Sequence, residues 1–127
     1  MVLTGGCLCG AVRYRIDGEL TAEGAGFCHC GLCRRASGAP VVAWGTWRAA
    51  DFRFTDGRPA EYLSSPKGVR RFCPACGIHP YGEGKSPDGA PMAAVNIRCI
   101  EGIDLATRES VSVSVQADLY PGFRDPG

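Results

Sequence analysis

Apolar and polar residues alternate along this chain with a period of two, and a helical period is hard to find anywhere in it. Ala11-Val12-Arg13-Tyr14-Arg15-Ile16 reads as a half-buried strand closed by the turn Asp17-Gly18. Residues 41–44, 51–54, 60–63, 69–72 and 92–97 read as further strands, each short and rich in β-branched or aromatic residues. Val111-Ser112-Val113-Ser114-Val115 alternates cleanly and places its valines on one face. Gly31 to Ser37 is the best candidate for a helical turn, and the polar Gly/Pro stretch from Gly82 to Pro91 reads as a loop. With 18 glycines and 9 prolines the chain is cut into short pieces throughout. The expectation is an all-β fold of short antiparallel strands, in two sheets or one bent sheet, without internal repeats.

Length and charge narrow the picture. At 127 residues the chain is expected to form a single domain, 1–127, with one modest core. The net charge is +1 and the charges are scattered. No basic stripe or acidic run suggests a nucleic-acid or membrane-surface partner. Apolar runs fall far short of the ~20 residues of a membrane span. The opening Met1-Val2-Leu3-Thr4 lacks the basic and apolar regions of a signal peptide. A cytoplasmic location is therefore expected, and with it a reduced state for the thiols.

Redox state decides how the eight cysteines are read. Cys7-Leu8-Cys9, Cys28-His29-Cys30, Cys30-Gly31-Leu32-Cys33 and Cys73-Pro74-Ala75-Cys76 have chelating spacings, each holding two thiolates on a short piece of backbone. A disulfide framework spreads its cysteines to close longer loops. The pattern predicts two zinc ions per chain.

The two sets differ in stoichiometry. In Cys7-Leu8-Cys9, an extended backbone turns both side chains to one face. Cys73-Pro74-Ala75-Cys76 forms a tight knuckle whose N–H groups can point at sulfur. Together Cys7, Cys9, Cys73 and Cys76 make a closed tetrahedral set joining distant parts of the chain, with Gly6, Gly10 and Gly77 beside the ligands. Metal binding at such a site is folding energy, on the order of 10–16 kcal/mol. Cys28, Cys30 and Cys33 supply only three ligands, which leaves a fourth position for water or a substrate thiol, as in catalytic zinc. Three residues compete to close that position. His29 is nearest, but alternation turns it away from the metal of its neighbours. Cys99 reads better as a small buried apolar side chain near a strand end. His79 reads as a surface group or outer hydrogen-bond partner near the four-cysteine set.

Three runs then carry a resemblance: Gly6-Cys7-Leu8-Cys9-Gly10-Ala11-Val12-Arg13-Tyr14, Cys28-His29-Cys30-Gly31-Leu32-Cys33-Arg34-Arg35-Ala36-Ser37-Gly38, and Arg71-Phe72-Cys73-Pro74-Ala75-Cys76-Gly77. In order and at these distances they resemble the glutathione-dependent formaldehyde-activating enzyme family, also named after centromere protein V. Val95 to Gly102 is similar to that family's C-terminal strand. The resemblance implies an Mss4-like β-fold, a structural zinc on Cys7, Cys9, Cys73 and Cys76, and a second zinc on Cys28, Cys30 and Cys33, with Cys99 outside both sets. The activity it implies is the condensation of formaldehyde with glutathione, formally a carbon–sulfur lyase reaction in reverse. On that reading Arg34, Arg35 or Lys85 neutralises glutathione carboxylates and His29 relays a proton, against the plainer role of solvated charges and a structural hydrogen bond. The segment Gly77-Ile78-His79-Pro80-Tyr81-Gly82 resembles a subgroup of the family, and the ending Ala117 to Phe123 is a loose version of the family's ending. Two other classes fit the same cysteines: a zinc-stapled interaction module without chemistry, and a redox or iron–thiolate protein.

Overall fold

The computed structural model describes residues 2–66 and 68–102, together with the backbone of 113–116. Among the described residues, ten strands and one α-helix follow in the order β1 Val2–Gly6, β2 Arg13–Asp17, β3 Ala25–Cys28, α1 Gly31–Ser37, β4 Val42–Arg48, β5 Phe52–Asp56, β6 Ala60–Ser65, β7 Gly68–Phe72, β8 Tyr81–Lys85, β9 Pro91–Asn96 and β10 Val113–Gln116. They form a three-stranded sheet, β1-β2-β5, and a seven-stranded sheet, β10-β3-β4-β9-β8-β7-β6. Every pairing is antiparallel except β10 with β3. The all-β reading holds, and it resolves into two sheets. No helix among the described residues is long and apolar enough to cross a membrane.

Alternation builds the core. In β2 the side chains of Tyr14 and Ile16 are buried, while Arg13 and Arg15 point away. Tyr14 and Ile16 pack against Trp47, Tyr81, Ala93 and Val95 of the larger sheet and Ile100, which follows β9. Phe52 joins them by stacking on Tyr81, with ring centroids 4.2 Å apart and planes 18° apart, close to the offset geometry that aromatic quadrupoles favour. Glu101 N–H donates to the Thr4 carbonyl at 2.8 Å, and Gly5 bridges Ile100, so the end of the described C-terminal segment closes onto β1.

The helix forms where the spacing predicts it. Cys30 caps it, its sulfur accepting the N–H of Cys33 at 3.4 Å. Gly38 ends it in the left-handed region at φ 67°, donating its N–H to the Arg34 carbonyl.

Three strands differ from the sequence expectation, and glycine is the common cause. β8, Tyr81-Gly82-Glu83-Gly84-Lys85, lies where a loop is expected. Its own propensity for β-structure is poor, but β7 and β9 flank it and supply ladder partners on both edges. β1 and β3 are likewise too rich in small residues to announce themselves. The strand expected over 111–115 lies at Val113–Gln116, and its first two residues fall outside those described.

Gly5 marks the tightest approach between β1 and its surroundings. A Cβ there would stand 2.3 Å from the Cys99 carbonyl oxygen and 2.5 Å from the Tyr14 hydroxyl. Backbone on one side and a buried ring on the other cannot both yield. Gly5→Ala is therefore expected to destabilise the protein by about 1–3 kcal/mol, read as a lowered urea midpoint at constant m. A variant as stable as the parent would mean that Tyr14 is not seated on Gly5.

Candidate metal centre

The first cysteine group assembles from two turns. Cys7 follows β1, and Leu8 and Cys9 occupy the turn into β2, so this pair is held by a hairpin turn and not by the extended strand the spacing suggests. The Cys7 N–H donates to the Val12 carbonyl at 3.0 Å, and the Val12 N–H returns to the Cys7 sulfur at 3.3 Å. Cys73 to Cys76 form a knuckle after β7. There the Cys76 N–H points at the Cys73 sulfur at 3.5 Å, while the Cys73 N–H is held by the Ile78 carbonyl. Backbone N–H groups of Ile78 and Cys9 lower the pKa of the Cys76 thiol to about 6.

The donor set fits zinc. Four sulfurs at the usual Zn–S length of about 2.3 Å would stand about 3.8 Å apart at tetrahedral angles. Cys7 and Cys9 sulfurs are 3.6 Å apart, Cys9 and Cys73 sulfurs 3.7 Å, and all four lie within 4.8 Å of one another. Two sequence-distant turns converge on one set of soft ligands.

The second group is Cys28 at the end of β3, Cys30 at the helix cap and Cys33 on the first turn of α1. All three are buried, and their sulfurs also lie within 4.8 Å of one another. No fourth His, Cys, Asp or Glu atom joins them among the described residues. Of the three candidates for closing the set, His29 is exposed on the far side of the segment. Cys99 sits half-buried in the 3-10 turn after β9, its thiol pushed up to about 11 by burial and by the charges of Cys7 and Cys76. His79 packs edge-on against Trp44, centroids 5.1 Å apart.

A cavity of about 250 Å³ opens beside this group, and the Cys28 and Cys33 residues form part of its wall. Trp44, Arg70 and His79 also line it. The Arg70 guanidinium donates to the Cys33 sulfur at 3.6 Å. Cys33 is the readier thiolate of the coupled pair, because Cys28 donates to it and, against the opposing effect of burial, Arg70 and Trp44 add their hydrogen bonds. Burial and the nearby Arg70 charge lower the His79 pKa to about 4, with a partial counter-effect from a hydrogen bond to the Tyr81 backbone. Its Nε2 is enclosed and has no hydrogen-bond partner among the described residues. His79 thus belongs to the wall of the three-cysteine cavity, where the spacing from Cys73 suggested a place at the four-cysteine set.

An outer groove of about 580 Å³ shares Ser64, Arg70 and His79 with this cavity. Arg35 lines the groove, while Arg34 lies half-buried on the helix and Lys85 is exposed at the end of β8. Arg70 and Trp44 carry no motif of their own. The ladders of β3, β4, β9, β8 and β7 turn them to the same side as Cys28, which no local sequence pattern shows.

The sequence profile of the glutathione-dependent formaldehyde-activating enzyme family matches residues 2–116. The chain belongs to that family. It is also similar in structure to a Rhodobacter sphaeroides protein solved as a structural-genomics target, with a TM-score of 0.68 and 26% identity over 89% of this chain and 99% of that one. No curated protein matches the sequence significantly. Family membership and geometry fit a zinc-binding protein of this type, with two cysteine groups able to hold a metal.

The two groups should respond differently to substitution. Zinc-reconstituted protein is expected to carry two zinc ions per chain by elemental analysis. Cys7→Ser should abolish the cooperative fold, since the metal that joins two distant turns contributes folding energy directly. Cys30→Ser should leave the sheet signal in circular dichroism and lose one zinc. An equally unfolded Cys30→Ser would overturn the division between the groups.

Proposed function

We propose that the chain is a zinc-dependent enzyme of the carbon–sulfur lyase kind, acting on the adduct of a small thiol such as glutathione with an aldehyde, of the S-hydroxymethylglutathione type. The observation that carries this reading is the three-cysteine group whose side faces a cavity in place of a fourth ligand. A scaffold metal has no need of that arrangement. A cytoplasmic setting, which keeps the cysteines and the thiol substrate reduced, is part of the same reading.

The chemistry balances without a redox partner. In the synthetic direction the thiolate sulfur attacks the carbonyl carbon, a C–S bond forms, and the C=O π electrons pass to oxygen, which takes up a proton. Lyase cleavage is the reverse: the hydroxyl proton leaves, the carbonyl re-forms and the thiolate departs. Zinc at Cys28, Cys30 and Cys33, when bound, supplies the positive charge that keeps a thiol in its anionic form near neutral pH.

The chain's own residues do the rest. Arg70, already hydrogen-bonded to Cys33, offsets the negative charge that three thiolates and a fourth sulfur bring together. It also stands between cavity and groove, where it meets a carboxylate of the thiol's tail. The His79 Nε2, enclosed and without a partner among the described residues, hydrogen-bonds the hydroxyl of the adduct on this reading. Trp44 fixes the His79 ring by an edge contact and keeps water from that side. Arg35 is the groove-lining member of the Arg34–Arg35 pair and takes a second carboxylate. His29, exposed and turned outward, has no part in this scheme.

Cobalt in place of zinc makes the reading testable. Glutathione should shift the visible spectrum of the three-cysteine site and leave that of the four-cysteine site unchanged. Arg70→Met should weaken that response and lower kcat/KM for the adduct about tenfold or more, as expected for one charge-assisted contact. A cobalt spectrum indifferent to every small thiol would leave a zinc-stapled interaction module as the better account.

A further inference from the structure

The floor of the inner cavity is built from residues with almost no side chain. Strand register aligns Arg70, Gly82, Ala94 and Thr46 in one row across β7, β8, β9 and β4. Gly84 lies two residues along β8 and so faces the same side. Gly82, Gly84, Ala94 and Thr46 all line the cavity.

Glycine inside a sheet weakens it, and two in one five-residue strand call for a reason. Three are available: a left-handed backbone, a close neighbour, or space left for something else. The first is absent, because neither Gly82 nor Gly84 has a positive φ. The second applies at Gly82, where a Cβ would stand 3.3 Å from the Val69 carbonyl oxygen. At Gly84 it fails, since nothing lies within 4 Å of where a Cβ would be. Space remains.

That space is large for the family's one-carbon aldehyde. A hydroxymethyl group has two heavy atoms, about 60 Å³ if each occupies about the 30 Å³ of a water molecule. An apolar cavity of about 150 Å³ accepts benzene, and this one is about 250 Å³. The indole of Trp44, Val69 and the small floor give it a largely apolar lining. Arg70, His79 and Ser64 are shared with the outer groove, the Glu83 carboxylate is taken up by Arg71, and Thr46 and the Cys28 and Cys33 thiols complete the wall. The polar tail of a thiol suits the groove, which leaves the inner chamber to the aldehyde's substituent.

Resting on the lyase reading above, we propose that the inner chamber selects a thiol adduct of a bulky apolar aldehyde, aromatic or branched, and that Gly84 sets the size of the group admitted. Gly84→Val fills the floor with a β-branched residue that a strand favours.

Two readouts test this, and they fail separately. In cobalt-substituted protein, benzyl mercaptan and 2-mercaptoethanol are titrated against the spectrum of the three-cysteine site. The ratio of their affinities should favour the aromatic thiol in the parent and fall at least tenfold in Gly84→Val, with both metals retained. In the zinc protein, the ratio of kcat/KM for the glutathione adducts of an aromatic aldehyde and of formaldehyde should fall by a similar factor. Should Gly84→Val fail to fold, Gly84→Ala, which adds one methyl group into open space, should lower both ratios by a smaller factor. Ratios that do not change in a folded variant overturn the proposal, as does a parent that favours the smaller thiol and the smaller aldehyde. Turnover of neither adduct, with the benzyl preference present and lost in Gly84→Val, overturns the lyase reading and upholds the chamber as a site for an apolar group beside the metal.

Discussion

Four sulfur atoms with like charge when ionised, drawn from opposite parts of the chain, gather within 4.8 Å of one another, with Cys9 3.6 Å from Cys7 and 3.7 Å from Cys73, and the rest of the structure depends on that contact. Two thiolates at such a distance repel by about 4–5 kcal/mol even at an effective dielectric of 20. Backbone N–H groups at Cys7 and Cys73 soften the repulsion without cancelling it. A divalent cation reverses its sign. The contact then clips the β1–β2 turn to the knuckle after β7, and so joins the small sheet to the large one where Val12, Phe54 and Ile78 pack around the cysteines. Tyr14, Phe52 and Tyr81 fill the space between the sheets further along.

The same knuckle shapes the other metal group. The bond from Cys73 N–H to the Ile78 carbonyl ends it, and His79 and Pro80 lead directly into β8. Arg70 lies on the strand that enters the knuckle, and His79 on the segment that leaves it. Two of the cavity's lining residues therefore flank the closed site, although neither belongs to it. A loss of metal at Cys73 and Cys76 would loosen the cavity beside Cys28 and Cys33 before it touched those ligands.

What the sequence reveals follows from how local each feature is. Chelation is local, so Cys28, Cys30 and Cys33 could be grouped from spacing alone, and the helix over Gly31–Ser37 follows from its cap and its terminal glycine. β2 was legible because Tyr14 and Ile16 alternate with arginines. β8 was not, because its stability comes from its neighbours' ladders and its own residues argue for a loop. Arg34 and Arg35 attract notice by standing next to Cys33 in sequence. Register, which no local pattern encodes, brings Arg70 and Trp44 to the sulfurs instead.

Register also separates stability from selectivity within single strands. Tyr81 of β8, Ala93 and Val95 of β9, and Trp47 of β4 turn toward the small sheet and build the core. Gly82 and Gly84, Ala94, and Thr46 and Trp44 on those same strands turn the other way and line the cavity. Because side chains alternate with a period of two, a change at one position leaves its neighbour's environment nearly intact. The face that holds the fold together can stay fixed while the opposite face is free to vary the volume beside the metal. Chains with the same cysteine ligands can in this way differ in what they admit, and a glycine-floored strand inside the sheet, as β8 is, is where such a difference would arise.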